Sequence, residues 1–187
     1  MARPRKTGVK RTKSGRISRA ASSYNENADA IALRQRMFGI SEQDARDQKA
    51  ATYIGRLCLG GRKKTTDGIT EAQYEAAQEY LRCYHAFQRA VKSPDALRSG
   101  EGISLGIESE GYADWCKDKV ERYRKLTDAI KAEQCLHENR GANMFAAIHL
   151  ILIRDETMPH LIGDLRLALN AIGHHFGIIP KPRKKAA

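Results

Sequence analysis

The sequence predicts an all-α protein, a compact bundle of about six helices between two basic arms. Three observations carry this reading. Apolar residues recur at three- and four-residue spacing over most of the chain. Two helix starts carry cap signatures, Ser41 with Asp44 and Thr70 with Gln73. Gly39, Gly60-Gly61, Ser93-Pro94 and Gly177 stand where helices should stop.

The elements follow in order. Residues 1–22 combine Gly, Pro, Ser and basic residues with almost no apolar content, a composition that cannot order itself by burial. The first helix is expected from about Asn25 to Phe38, ended by Gly39. A second, from Glu42 to Leu57, places Ala51, Ile54, Leu57 and Cys58 on one face, with Gly60-Gly61 as its terminator. A polar loop, Arg62 to Gly68, leads to a third helix that ends near Val91, with Tyr74, Ala77, Leu81, Tyr84 and Val91 expected inside. Residues 93–111 form a Gly-rich connection in which Ile103, Leu105 and Ile107 alternate. A connection of this length is often functional.

The fourth helix spans about Tyr112 to Leu136, with Trp115, Cys116, Val120, Tyr123, Leu126 and Ile130 as its apolar residues. The fifth, Ala142 to Ile153, is apolar nearly all round and should be the central buried one. Pro159 opens the sixth, with Leu161, Leu165, Leu169 and Ile172 on one face. Grouped by these breaks, the chain reads as 1–22, 23–92, 93–111, 112–179 and a basic tail, 180–187. The longest apolar run, Met144 to Ile153, is far shorter than the roughly 20 residues a bilayer requires. No apolar stretch follows the basic N-terminus, and Pro4 and Gly8 interrupt any early amphipathic pattern. The expected location is the cytoplasm of a bacterial host, with no membrane contact.

Charge placement is the most informative feature. The chain carries 33 basic and 22 acidic residues, a net charge of +11. Residues 1–20 contain Arg3, Arg5, Lys6, Lys10, Arg11, Lys13, Arg16 and Arg19, and no acid. Lys181, Arg183, Lys184 and Lys185 follow at the other end. These 12 residues account for the whole excess, because residues 21–180 hold 21 basic against 22 acidic side chains. Clusters of this kind displace counterions from phosphates, which gives affinity with little sequence preference. Pro4 keeps Arg3 to Lys6 extended, a form that can enter a minor groove. The expected partner is a nucleic acid, double-stranded DNA before RNA.

Residues 28–58 also fit a helix-turn-helix, with Gly39-Ile40-Ser41 as the turn. In that motif the second helix lies in the major groove, so Arg46, Gln48 and Lys49 would do the reading. Glu42, Asp44 and Asp47 place acids on the same helix, and a plain helical hairpin explains the same spacing.

Catalytic and metal signatures are absent. No Gly-rich phosphate loop, nucleophile elbow or metal-binding helix motif appears. Cys135 with His137 lacks a second close pair for zinc, and Cys58, Cys83, Cys116 and Cys135 read as buried or neutral thiols. His174-His175 sits where a helix end favours a cation, and His85, His137, His149 and His160 are scattered, all expected to be structural. Glu108, Glu110 and Asp114 read as a solvated face. The sequence therefore predicts no enzyme, cofactor or metal.

The stretch Leu161-x3-Leu165-Arg166-Leu167-Ala168-Leu169-Asn170-Ala171-Ile172-Gly173-His174-His175-Phe176-Gly177 resembles the closing helix of small proteins from alphaproteobacterial phages and of gene-transfer-agent regulators. A second similarity lies in Ile54-Gly55-Arg56-Leu57, Ile69-Thr70 and Gln73-Tyr74. The resemblance implies a phage-type, DNA-associated role. That role would be a transcription activator or antiterminator working with RNA polymerase, or a terminase-like packaging subunit working as an oligomer with a packaging enzyme. A protein that binds and inhibits a host enzyme is the third reading.

Overall fold

The computed structural model describes residues 13, 16, 26–63, 67–91, 110–137 and 141–181. Most of the connection expected over 93–111 and most of both basic ends lie outside these residues, and positions 110 and 111 of that connection belong to a helix instead. The described chain is all-α, with no strand among the described residues. It divides into two compact units, residues 1–48 and 49–187. The division falls at residue 48 rather than at the Gly-rich connection, because the helix after Thr70 packs along helices from both later segments.

In the first unit, α1 spans Glu26–Phe38 and α2 spans Glu42–Arg46. Gly39 ends α1 at φ +62°, with its N–H donated to the Gln35 carbonyl. Ser41 caps α2 through the Asp44 N–H, 3.2 Å away. Arg34 donates to the Ala45 carbonyl at 3.0 Å, which ties α1 to α2.

Helix α2 is five residues long, and this corrects the continuous helix expected from Glu42 to Leu57. Asp47 is extended at ψ 132°. A 3-10 turn, Gln48–Ala51, follows, and Thr52 is extended at ψ 155° as the N-cap of α3, Tyr53–Arg62. Thr52 accepts from the Gly55 N–H at 3.2 Å, so a new helix begins where the old one was expected to continue. Ala51 is exposed, not part of the apolar face.

The second unit is a helical bundle. Helix α4 spans Glu71–Val91, α5 spans Glu110–Leu136, and α7 spans Ile162–Phe176. These three pack against one another. Between α5 and α7 lies α6, Met144–Ala147, which widens into a π-helical stretch over Ile148–Ile153. The segment supplies Met144, Ala147, Ile148, Ile151 and Leu152 to the core, while His149 remains exposed. It is therefore central on one face but not buried all round.

The Thr70–Gln73 pair forms the reciprocal capping box that its spacing predicts: Thr70 N–H to Gln73 Oε1 at 2.9 Å, Gln73 N–H to Thr70 Oγ1 at 3.2 Å. Gln73 also donates to Asn170 Oδ1 at 2.9 Å, joining the start of α4 to α7. Tyr80 and Ala76 are buried on α4, whereas Val91 and, on α5, Val120 are exposed despite their apolar spacing. Gly177 ends α7 at φ +73°, and the Ile178 N–H returns to the Gly173 carbonyl at 2.9 Å.

Gly60 and Gly61 do not stop α3; both lie within its last turn. Gly61 is there because backbone passes over it. A Cβ at this position would lie 1.9 Å from the Ile69 carbonyl oxygen. A Cβ on Gly68 would lie 2.2 Å from Gly61. We expect Gly61→Ala to destabilise the fold by about 2 kcal/mol or more, because backbone rather than side chain must move. Gly163→Ala, in open space on α7, should instead raise stability by roughly 0.5 kcal/mol. Urea unfolding midpoints of the two variants against the parent check both signs.

Candidate nucleic-acid interface

Of the twelve terminal basic residues, the described chain includes Lys13, Arg16 and Lys181, each exposed. Arg3, Arg5, Lys6, Lys10, Arg11, Arg19, Arg183, Lys184 and Lys185 lie outside the described residues. Lys181 follows α7 by five residues and is exposed.

The two internal candidates do not share a helix. Arg46 sits in the last turn of α2 and pairs with Glu42 at 2.5 Å, both side chains largely exposed. Lys49 belongs to the following 3-10 turn and is held by Glu71 at the start of α4. Its ammonium lies 4.6 Å from the centre of the Tyr74 ring. A five-residue helix is about 7.5 Å long, too short to present three residues along a groove. The expected groove-reading face is thus replaced by two separate ion pairs.

Lys49 belongs to a different cluster, one that was not visible in the sequence. Glu71 accepts from Lys49, from Arg62 Nη2 at 3.2 Å and from the Cys58 thiol at 3.3 Å. These hydrogen bonds, Lys49 first, hold the Glu71 carboxyl down at about 2 although partial burial opposes the shift. Burial pushes the Cys58 thiol up to about 11, and the neighbouring carboxylate adds to the effect. Cys58 is therefore a thiol and not a nucleophile near neutral pH. The cluster fastens the end of α3 to the start of α4. Its only forward signal was the three-residue step from Gly68 to Glu71, which places an acid in a first turn.

Two half-buried arginines serve as clamps on carbonyl oxygens. Arg56 reaches Ala50 at 3.2 Å, and Arg166 reaches Gly68 through two nitrogens at 2.6 and 3.1 Å. Along α5, Lys117 pairs with Asp114, Lys119 with Asp118, and Arg124 and Lys125 with Glu121. Arg122, like Lys131, makes no ion pair among the described residues, and its guanidinium lies over the Phe176 ring, 5.5 Å from the centroid. Asp118 lies four residues earlier, the spacing of an ordinary helix pair, yet its carboxylate is taken by Lys119 at 2.6 Å.

Cys58 and Cys83 are buried, Cys116 is half-buried and Cys135 is exposed, all four free. Among the described residues no group of three His, Cys, Asp or Glu could hold a metal ion. No described helix is long and apolar enough to cross a membrane. Comparison of the chain with known protein families, with curated proteins and with solved structures gives no match.

Two outcomes follow from this geometry. Glu71 titrates lower in the folded chain than in the unfolded one, so its contribution is present above the ordinary carboxylate range. It is lost as pH falls from about 4.5 toward about 2. Glu71→Gln should flatten that part of the urea-midpoint profile against pH. Under native conditions iodoacetamide should label Cys135 fastest and leave Cys58 and Cys83 unmodified, as read by peptide mass.

Proposed function

We propose that this protein binds duplex DNA through the sugar-phosphate backbone and acts there as a phage-type regulator of transcription. The single observation that carries the binding is the placement of charge: 12 basic residues at the two ends, with none of the acids. The bundle between them is close to neutral, and many of its cations are already engaged by carboxylates or carbonyls. The ends therefore supply the phosphate contacts, and the bundle supplies rigidity and a surface for a protein partner such as RNA polymerase.

Backbone contact is favoured over base reading. The residues expected to read bases are split between a one-turn helix and an ion-paired lysine, so they share no helix face for a groove. The regulatory part of the reading rests on the resemblance of the Leu161–Gly177 stretch to proteins of phages and gene transfer agents.

The test is a fluorescence-anisotropy titration of a 20-base-pair duplex with the full chain. With six to ten phosphate contacts, affinity should fall by about 10³-fold or more between 50 and 200 mM salt. Removal of residues 1–20 should weaken binding at 50 mM salt by about 100-fold. Absence of binding at low salt would overturn the proposal. An unchanged affinity after removal of the arm would overturn its assignment to the N-terminus.

A further inference from the structure

Helix α1 buries none of its side chains from residue 28 to residue 38. A helix of 13 residues is marginal in water without such burial. On its α2 side, Ala28, Ile31, Ala32 and Gln35 line an open cleft of about 430 Å³ with Glu42 and Arg46. At about 100° per residue, Ala30, Leu33 and Met37 lie on the opposite side. All three are exposed, Leu33 at 46% and Met37 at 64%. Steps of three and four residues make this stripe the seam of a helix pair.

The charges beside the stripe select its occupant. Asp29 and Arg36 stand on one flank, two turns apart, and both are exposed. Neither makes an ion pair among the described residues. On the other flank, Arg34 is taken by the Ala45 carbonyl at 3.0 Å. With two copies of α1 antiparallel and Leu33 of each over Ala30 of the other, Asp29 of each copy meets Arg36 of the other. The two opposite-charge pairs are related by a two-fold axis. Slid by one heptad, with Leu33 over Met37, the seam would set Arg36 against Arg36. A parallel pair would set Asp29 against Arg34, which is already engaged, and would align the two helix dipoles.

We propose that the outer face of α1 pairs antiparallel with the same face of a second copy of this chain, so that the protein forms a two-fold dimer. The interface is isologous: one patch, apolar along Ala30 and Leu33 and edged by Asp29 and Arg36, serves both copies. Met37 extends the apolar surface at each end of the seam. A helix of 13 residues is about 20 Å long, so the seam is smaller than a standard interface. Association is therefore weak, with a dissociation constant on the order of 0.1 mM. The assignment does not depend on DNA binding.

The test is sedimentation equilibrium of the full chain from about 10 µM to about 1 mM, a range that spans the expected constant. The parent should pass from monomer to dimer over this range. Leu33→Glu, which places a carboxylate from each copy in the seam, should stay monomeric throughout. Asp29→Arg, which turns both pairs into repulsions, should weaken association by about 10-fold. Asp29→Arg combined with Arg36→Asp, which exchanges the partners, should restore it. Circular dichroism and urea midpoints matching those of the parent at low concentration establish that each variant is folded.

A position-specific readout is the amide spectrum in nuclear magnetic resonance. Between the two ends of the concentration range, the resonances of Ala30, Leu33 and Met37 should shift. A parent that stays monomeric at about 1 mM overturns the proposal. So does association that Leu33→Glu leaves intact, or an assembly larger than a dimer. A charge exchange that fails to rescue Asp29→Arg overturns the antiparallel register. If the dimer appears only after removal of residues 1–20, the chain's own N-terminal segment occupies the face and the proposal falls.

Discussion

The close approach of two backbone segments at Gly61 and Gly68 is the constraint on which the second unit depends. With no Cβ on either residue, the strand of chain before α4 lies directly on the last turn of α3. Ile69 then donates its N–H to the Leu57 carbonyl at 3.0 Å and places its side chain in the core. The same approach brings Glu71 within reach of Cys58, Lys49 and Arg62, and aims the Gly68 carbonyl at Arg166 on α7. One steric permission thus sets the angle between α3 and α4 and connects both to the last helix. The aromatic packing of Tyr80, Tyr84, Phe87 and Tyr123 then fills the α4–α5 seam, with Phe87 and Tyr123 stacked at 4.3 Å.

Charge in this protein divides by use rather than by residue type. Arg34, Arg56 and Arg166 finish helix ends or loops by donating to carbonyl oxygens, and so belong to the fold. The pairs along α5 are solvent-exposed and contribute little stability each. What they do is cancel one another along the helix. A count of lysines and arginines along the chain cannot make that distinction. It depends on which carbonyl or carboxylate happens to lie within 4 Å in the folded state.

The helical class and most helix ends were legible because they are set by local chemistry. Ser41 and Thr70 cap through residues three positions away, and Gly39 and Gly177 adopt the positive φ that glycine favours. The failures have a common cause in distance along the chain. Gly60-Gly61 looked like a stop because the Ile69 backbone that needs Gly61 is a tertiary neighbour. The helix expected from Glu42 to Leu57 breaks at Asp47 and Thr52, where Thr52 prefers to cap α3. Val91 and Val120 kept the apolar spacing but face solvent. At the candidate interface, the terminal basic residues were plain from composition, whereas the joining of Lys49, Cys58 and Arg62 on Glu71 depends on residues 9 to 22 positions apart.

Asp155 stands at φ +55°, a backbone conformation uncommon for a residue with a side chain, and its carboxylate accepts the Tyr53 N–H at 2.6 Å. It supplies an acceptor that Thr52 does not, at the N-terminus of a helix 102 residues earlier. Gln73 to Asn170 and Arg166 to Gly68 span 97 and 98 residues. During synthesis, α3 and α4 therefore emerge with their local caps but make these three contacts only once residues 155–170 have followed. Such long-range closure favours folding of the second unit as a whole, with its early helices dependent on later sequence.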